Sequence, residues 1–336
     1  MTPAQHARLV VTASTAILAL LGAPAIARGQ AWVPSQGEGS VSIQVQNALT
    51  LDHYFTTTKG DIGPIHTTGI VVDASYGLSD KVAVDVSLPY IASKYTGPKP
   101  HPTALDDGTY HSTFQDFRFA LRYNVRGGRF ALTPYVGSIV PSHDYEFYAH
   151  AAPGRRLREL QIGTYAARLL DPVLSGMFVQ TRVAYGFTER VLDIAHDRVM
   201  GDLEVGYFAT DNLRVFGLTT GQVTRGGIDI PVAGLRALPL DQQLYHDQID
   251  RVNFLNVGAG ASVTLRDSVD LFGSVLTNVA NRNGHALNRG MNLGVTFSFK
   301  RSGRPSARDA ARAEALTDRN AEAQSLLRCI CQRGER

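Results

Sequence analysis

Asn292-Leu293-Gly294-Val295-Thr296-Phe297-Ser298-Phe299 interleaves two residue sets. Met291 stands in front of it, and Leu293, Val295, Phe297 and Phe299 continue an apolar series. Asn292, Gly294, Thr296 and Ser298 between them are polar or small. Successive side chains of a strand point to opposite faces. The stretch therefore predicts a strand with one apolar face that ends in two aromatics.

The same period of two recurs upstream. It runs through Val41–Gln46, Ile70–Gly77, Val82–Tyr90, Phe117–Tyr123, Phe130–Val136, Met177–Phe187, Leu203–Tyr207, Asn256–Leu265 and Val269–Val275. Leu160–Leu170 is less clean, and Leu213–Thr220 is ambiguous in phase. Together these make about twelve strands, an even number.

The connections alternate in length. Leu78–Asp80, Asn124–Gly128, Asp171–Gly176, Thr210–Asn212 and Arg266–Asp267 are short turns. Between them lie longer polar stretches: Asp52–His66, Ser93–Ser112, Ser142–Glu159, Thr188–Met200, Arg225–Gln248 and Asn281–Asn288. A soluble sandwich has no reason for strict alternation. A barrel spanning the bacterial outer membrane does, with short periplasmic turns and long extracellular loops. The expected fold is therefore all-β, a transmembrane antiparallel up-and-down barrel. Outer-membrane lipid and the barrel-assembly machinery are its expected partners. Asn292, Gly294, Phe297 and Phe299 resemble the terminal-strand assembly signal of such barrels. That strand must pair with Val41–Gln46 to close the ring.

The sign of the alternation says which face meets water. Asp73, Asp85, Arg118, Arg122, Arg182, Asp202 and Glu204 share one face. Tyr76, Tyr90, Tyr123, Tyr185, Phe187, Phe297 and Phe299 share the other. A cation at the bilayer midplane costs about 2–4 kcal/mol, so the charged face is the lumen and the aromatics form interfacial girdles. Asp85 with Arg118 and Arg122, and Arg182 with Asp202 and Glu204, lie on sequential strands and predict cross-strand charge ladders. Such a ladder reads either as a constriction that orients a solute or as a network that fills a narrow lumen.

The 336-residue chain is 44% hydrophobic and 19% charged, with a net charge of +3, and it carries no nucleic-acid footprint. The charge is local, because Arg301–Arg336 holds 8 Arg against 5 Asp or Glu. The two cysteines, Cys329 and Cys331, lie in that segment, so no disulfide framework holds the rest. Residues 1–31 read as a secretory signal: Arg8, an apolar run over Leu9–Leu21, and small residues permitting cleavage after Ala27 or Ala31. The barrel is expected over 32–300. Residues 301–336 form an Ala/Arg-rich periplasmic tail, helical or disordered.

No catalytic residues, cofactor or metal ligands are assigned. His53, His66, His101, His111, His143, His150, His196, His246 and His285 all fall in long connections or at their edges, but none has a ligand-like spacing. Ser142-His143-Asp144 contains hydrolytic residue types, but neighbours in sequence are not expected to converge as a triad does.

Ala31-Trp32-Val33-Pro34-Ser35-Gln36-Gly37-Glu38-Gly39-Ser40-Val41-Ser42 resembles the opening of the MetA-pathway of phenol degradation (transporter-like) family. Asp52-His53-Tyr54-Phe55 and Tyr76-Gly77-Leu78-Ser79-Asp80-Lys81-Val82 are similar to that family too. The resemblance covers about Ala31 to Lys300. It implies an outer-membrane channel or transporter passing small, partly hydrophobic or aromatic solutes, with no defined catalytic residues. The other reading is a non-conducting, surface-facing binding or structural barrel. A lipid-modifying enzyme would instead need a Ser and a His in contact at the rim.

Overall fold

A computed structural model describes residues 31–299. The proposed signal segment up to residue 30, and the tail with Cys329 and Cys331, lie outside the described residues. Thirteen strands form one closed antiparallel sheet: β1 (Gly39–Phe55), β2 (Thr58–Gly77), β3 (Val82–Tyr95), β4 (His111–Phe114), β5 (Phe117–Tyr123), β6 (Phe130–Val140), β7 (Glu159–Leu169), β8 (Met177–Thr188), β9 (His196–Phe208), β10 (Leu213–Gly226), β11 (Asn253–Arg266), β12 (Val269–Arg282) and β13 (Gly284–Phe299). β4 and β5 pair with successive parts of β3, so they are one wall position interrupted at Gln115 and Asp116. The ring is thus a twelve-position barrel.

The seam closes as the sequence requires. β13 pairs with β1 in the register Gly39↔Phe299, Val41↔Phe297, Gln44↔Gly294 and Gln46↔Asn292. On its other side it pairs with β12. The alternation also holds. Phe297 and Phe299 are outward and exposed, whereas Thr296 is buried. The outward apolar run of β13, Met291 to Phe299, is about as long as a bilayer crossing of 9–11 residues. The outward cation Arg289 stands just beyond it.

Inward aromatics lie over glycines of the next strand. A Cβ at Gly294 would meet Phe272 at 2.4 Å, and one at Gly206 would meet Phe178 at 2.2 Å. The ring packs where the side chain is missing, which ties neighbouring strands together.

Two of the six expected long loops are strand instead. β1 and β2 continue to a tight turn at Thr56, and β12 and β13 meet at Asn283. Thr56 and Asn283 both adopt φ 54°, a left-handed geometry that lets a hairpin reverse in so few residues. Beyond the bilayer a strand has no apolar face to show, so its polar sequence reads as loop. Thr188–Met200 shrinks for the same reason, because β8 runs to Thr188 and β9 starts at His196.

Candidate functional site: the lumen and its outer cap

Several charges of the inner wall pair between adjacent strands. Arg122 on β5 pairs with Asp85 on β3: Nη2 donates to Oδ1 at 2.8 Å, and Nε lies 2.6 Å from Oδ2. The same Nη2 donates to Ser75 Oγ at 2.9 Å. Arg182 on β8 pairs with Asp202 on β9 through its Nε. Gln44 Nε2 donates to Asp73 at 2.7 Å.

Two of the expected ladder partners differ. Glu204 faces Arg214 on β10 at 3.4 Å, not Arg182. Cross-strand register sets Arg182 directly opposite Asp202, which leaves Glu204 to the strand beyond. Arg118 does not join the Asp85 pair. Its buried Nε has no hydrogen-bond partner.

Sequence reasoning missed three further wall residues. Arg214 stacks over Phe178 and Phe216, with its guanidinium 5.5 and 5.0 Å from the ring centroids. Arg198 on β9 reaches Glu159 on β7 at 3.3 Å.

The periplasmic opening is crossed by residues 31–38. The segment leaves β1 beside β2, where Gly77 donates to Glu38 O at 2.9 Å. It passes so close that a Cβ at Gly77 would meet Ser35 O at 2.2 Å. It ends against β6 and β8. Ala31 N donates to Gln180 Oε1 at 3.3 Å, and Ala31 O accepts from Thr133 Oγ1 at 2.5 Å. β8 lies six positions from β1 in the twelve-position ring, on the opposite wall. Trp32 anchors the run by donating Nε1 to Gly128 O at 2.9 Å. Ala31 is fully buried among Ala131, Tyr135, Tyr165, Ala167 and Ala184.

The outer end is capped by loops that pack on one another. Gln248 Nε2 donates to Arg155 O at 2.6 Å, and Gln115 Nε2 donates to Pro153 O at 2.7 Å. Asn283 is fully buried. Its Oδ1 accepts from Thr56 N and Ile230 N, and its Nδ2 donates to Asp229 and Arg251 O. Burial pushes the Asp250 carboxyl up to about 7, against the pull of nearby Arg155.

Five of the nine histidines among the described residues meet under this cap, although they come from five segments. His101 and His150 have ring centroids 4.2 Å apart, His53 and His285 4.9 Å, His150 and His285 5.6 Å, and His101 and His246 5.8 Å. Asp106 joins them, with Oδ2 3.2 Å from His101 Nδ1. Burial, followed by the neighbouring His285 and His101, lowers His150 to about 3. Burial works against ionisation of Asp247, but the surrounding histidines, His246 first, hold it well below the usual carboxylate range. No spacing in the sequence reveals this grouping, because the contacts are set by the ring order of the strands.

The remaining rim histidine of interest, His143, does touch its neighbour. Ser142 Oγ lies 2.8 Å from His143 Nδ1, contrary to the expectation for adjacent residues. A turn at the start of the loop brings them round. Ser142 Oγ also donates to Phe114 O at 3.0 Å. His143 Nε2 faces Thr113 Oγ1 at 3.0 Å, and Asp144 is taken by Arg156. The ring nitrogen away from the serine thus faces a hydroxyl, where a hydrolytic triad has a carboxylate.

No family model matches the sequence, and no curated protein matches it. Among solved structures, the chain is similar to the COG4313 outer membrane channel from Pseudomonas putida F1, with 14% identity and a TM-score of 0.62, covering 81% of this chain and 99% of that one. The NanC porin matches at 8% identity and a TM-score of 0.46, over 77% of this chain and 100% of that one. The P. putida toluene transporter TodX matches at 9% identity and a TM-score of 0.39, over 86% and 94%. The first of these likenesses shows a shared fold: this chain is built as an outer-membrane β-barrel.

Proposed function

We propose that the protein is an outer-membrane channel or transporter for small solutes, with no enzymatic step and no cofactor. The observation that carries this reading is the inner wall. Four of its guanidinium groups are paired with carboxylates around one lumen, while the outer wall is apolar. A barrel that only had to be stable would be better served by apolar packing inside, since buried ion pairs contribute little net stability. Paired charges instead present a polarised passage. The resemblance to the phenol-degradation transporter-like family supports small, partly hydrophobic or aromatic compounds as the solute class, and diffusion as the mode.

Protein reconstituted in planar bilayers is expected to give discrete conductance steps. Small phenolic compounds are expected to reduce the open current or to enter proteoliposomes. Neither current nor uptake would leave the non-conducting, surface-facing barrel as the better reading. The N-terminal cut bears on the same passage. Cleavage after Ala27 keeps Ala31, which bonds to Gln180 and Thr133, and cleavage after Ala31 removes it. We therefore favour Ala27, and the mass of the mature protein tests the choice.

A further inference from the structure

We propose that the outer cap binds a divalent transition cation of the zinc class through His101, Asp106 and His150, with His285 placed as the fourth ligand. The donor atoms of His101, Asp106 and His150 all lie within 4.8 Å of one another. Zinc bonds of about 2.0–2.2 Å in a tetrahedron set ligand atoms about 3.4 Å apart, so closing on an ion needs shifts of about an ångström in loop side chains. His285 Nε2 already stands 3.4 Å from His150 Nδ1.

His150 and Asp106 are held as metal ligands commonly are. His150 Nε2 faces Lys99 O at 3.0 Å, which takes up its N–H and leaves Nδ1 with its lone pair toward His285. Ligating histidines are commonly fixed in this way, by a carbonyl on the far nitrogen. Asp106 is oriented by three backbone amides, His101 at 2.8 Å, His150 at 3.1 Å and Ala151 at 2.9 Å. Those amides belong to the two loops that would share the ion. His53 adds an independent sign. It is buried beside His285, and its Nδ1 has no hydrogen-bond partner. Imidazole and carboxylate together suit zinc and its neighbours, not calcium or magnesium, which take oxygen ligands. Bound there, the ion ties the loop carrying His101 and the loop carrying His150 to β13, fastening the cap to the wall. This inference does not depend on whether the lumen conducts.

The test uses the full chain without a histidine tag, folded in detergent and stripped with chelator. Zinc titration followed by calorimetry is expected to show one equivalent bound. His101→Ala and His150→Ala should each weaken it at least tenfold, and His111→Ala and His143→Ala should leave it unchanged. Each variant is first checked for heat-modifiable migration. Cobalt added to the unaltered protein gives a readout that needs no variant. A four- or five-coordinate site produces intense visible bands, and the hexaaqua ion produces faint ones. The proposal is overturned by absence of stoichiometric zinc, by binding that survives both His101→Ala and His150→Ala, or by a hexaaqua-like cobalt spectrum. The last two outcomes would leave His101 and Asp106 as a purely structural loop clasp.

Discussion

Arg122 illustrates what a charge on the inner wall needs. Its guanidinium is buried, with two hydrogen bonds from Nη2, to Asp85 on β3 and Ser75 on β2, and a close ion-pair contact from Nε to Asp85. Asp85 is itself part-exposed to the lumen, so the pair sits at the boundary between wall and water. Removing one partner strands the other. Arg122→Met is expected to lower unfolding stability by about 1.5–3 kcal/mol, the range for hydrogen bonds to charged groups. Arg122→Met combined with Asp85→Leu should recover most of that loss, because two apolar side chains can replace an ion pair at little cost. Urea titration in detergent measures both. Equal losses in the single and double variants would show that Asp85 was never left without a partner. At this scale the sequence was partly legible. Asp85 with Arg122 and Arg182 with Asp202 follow from adjacent strands and a shared face. The Glu204–Arg214 pair does not, because its partner lies in Leu213–Thr220, where the phase is blurred.

That blurring has a cause in β10 and β7. Phe216 and Leu218 point inward on β10, and Tyr165 and Ala167 point inward on β7, so both faces are partly apolar and the alternation fades. β13 has no such mixture. From Met291 to Phe299 its inward positions are polar or glycine, and Gly294 lies beneath Phe272, where a Cβ would stand 2.4 Å from the ring. Such a strand announces its register. β13 also carries the seam, and Phe297 and Phe299 sit at its exposed periplasmic end opposite Val41 and Gly39. Replacing both by Ala is expected to reduce the heat-modifiable, folded fraction severalfold. Deleting residues 301–336 should leave that fraction unchanged. Electrophoresis of unheated and boiled membranes reads both, and the opposite pattern would place the assembly signal in the tail. The outer ends of β1, β2, β12 and β13 were the least legible part of the elements. Once a strand leaves the lipid, its side chains no longer alternate in polarity, although its ladder continues.

Across the whole molecule, both ends of the barrel are furnished. Folded loops and gathered histidines close over the outer end, and residues 31–38 cross the periplasmic end. Neither arrangement could be read from periodicity, since each depends on which strands the ring makes neighbours and which it sets opposite. The barrel itself was legible because its two solvents impose a pattern on every strand. The crossing segment makes a prediction on this scale. A chain lacking Ala31–Gln36 loses the bonds to Gln180, Thr133 and Gly128 while keeping every strand. It is expected to fold and to conduct more current per open channel than the intact protein. Single-channel recording of the two proteins decides, and equal currents would show that the segment does not obstruct the path.

The segment is also a chord drawn across a ring. A closed sheet resists stretching along its hydrogen bonds, but it can flatten into an ellipse with little change in perimeter. Residues 31–38 join β1 to the wall opposite, so widening along that diameter pulls Ala31 away from Gln180, and narrowing along it crowds the segment. The perpendicular diameter has no such member at that depth among the described residues. At constant perimeter a held diameter also holds the one perpendicular to it, so the flattening left easiest has its axes oblique to the segment.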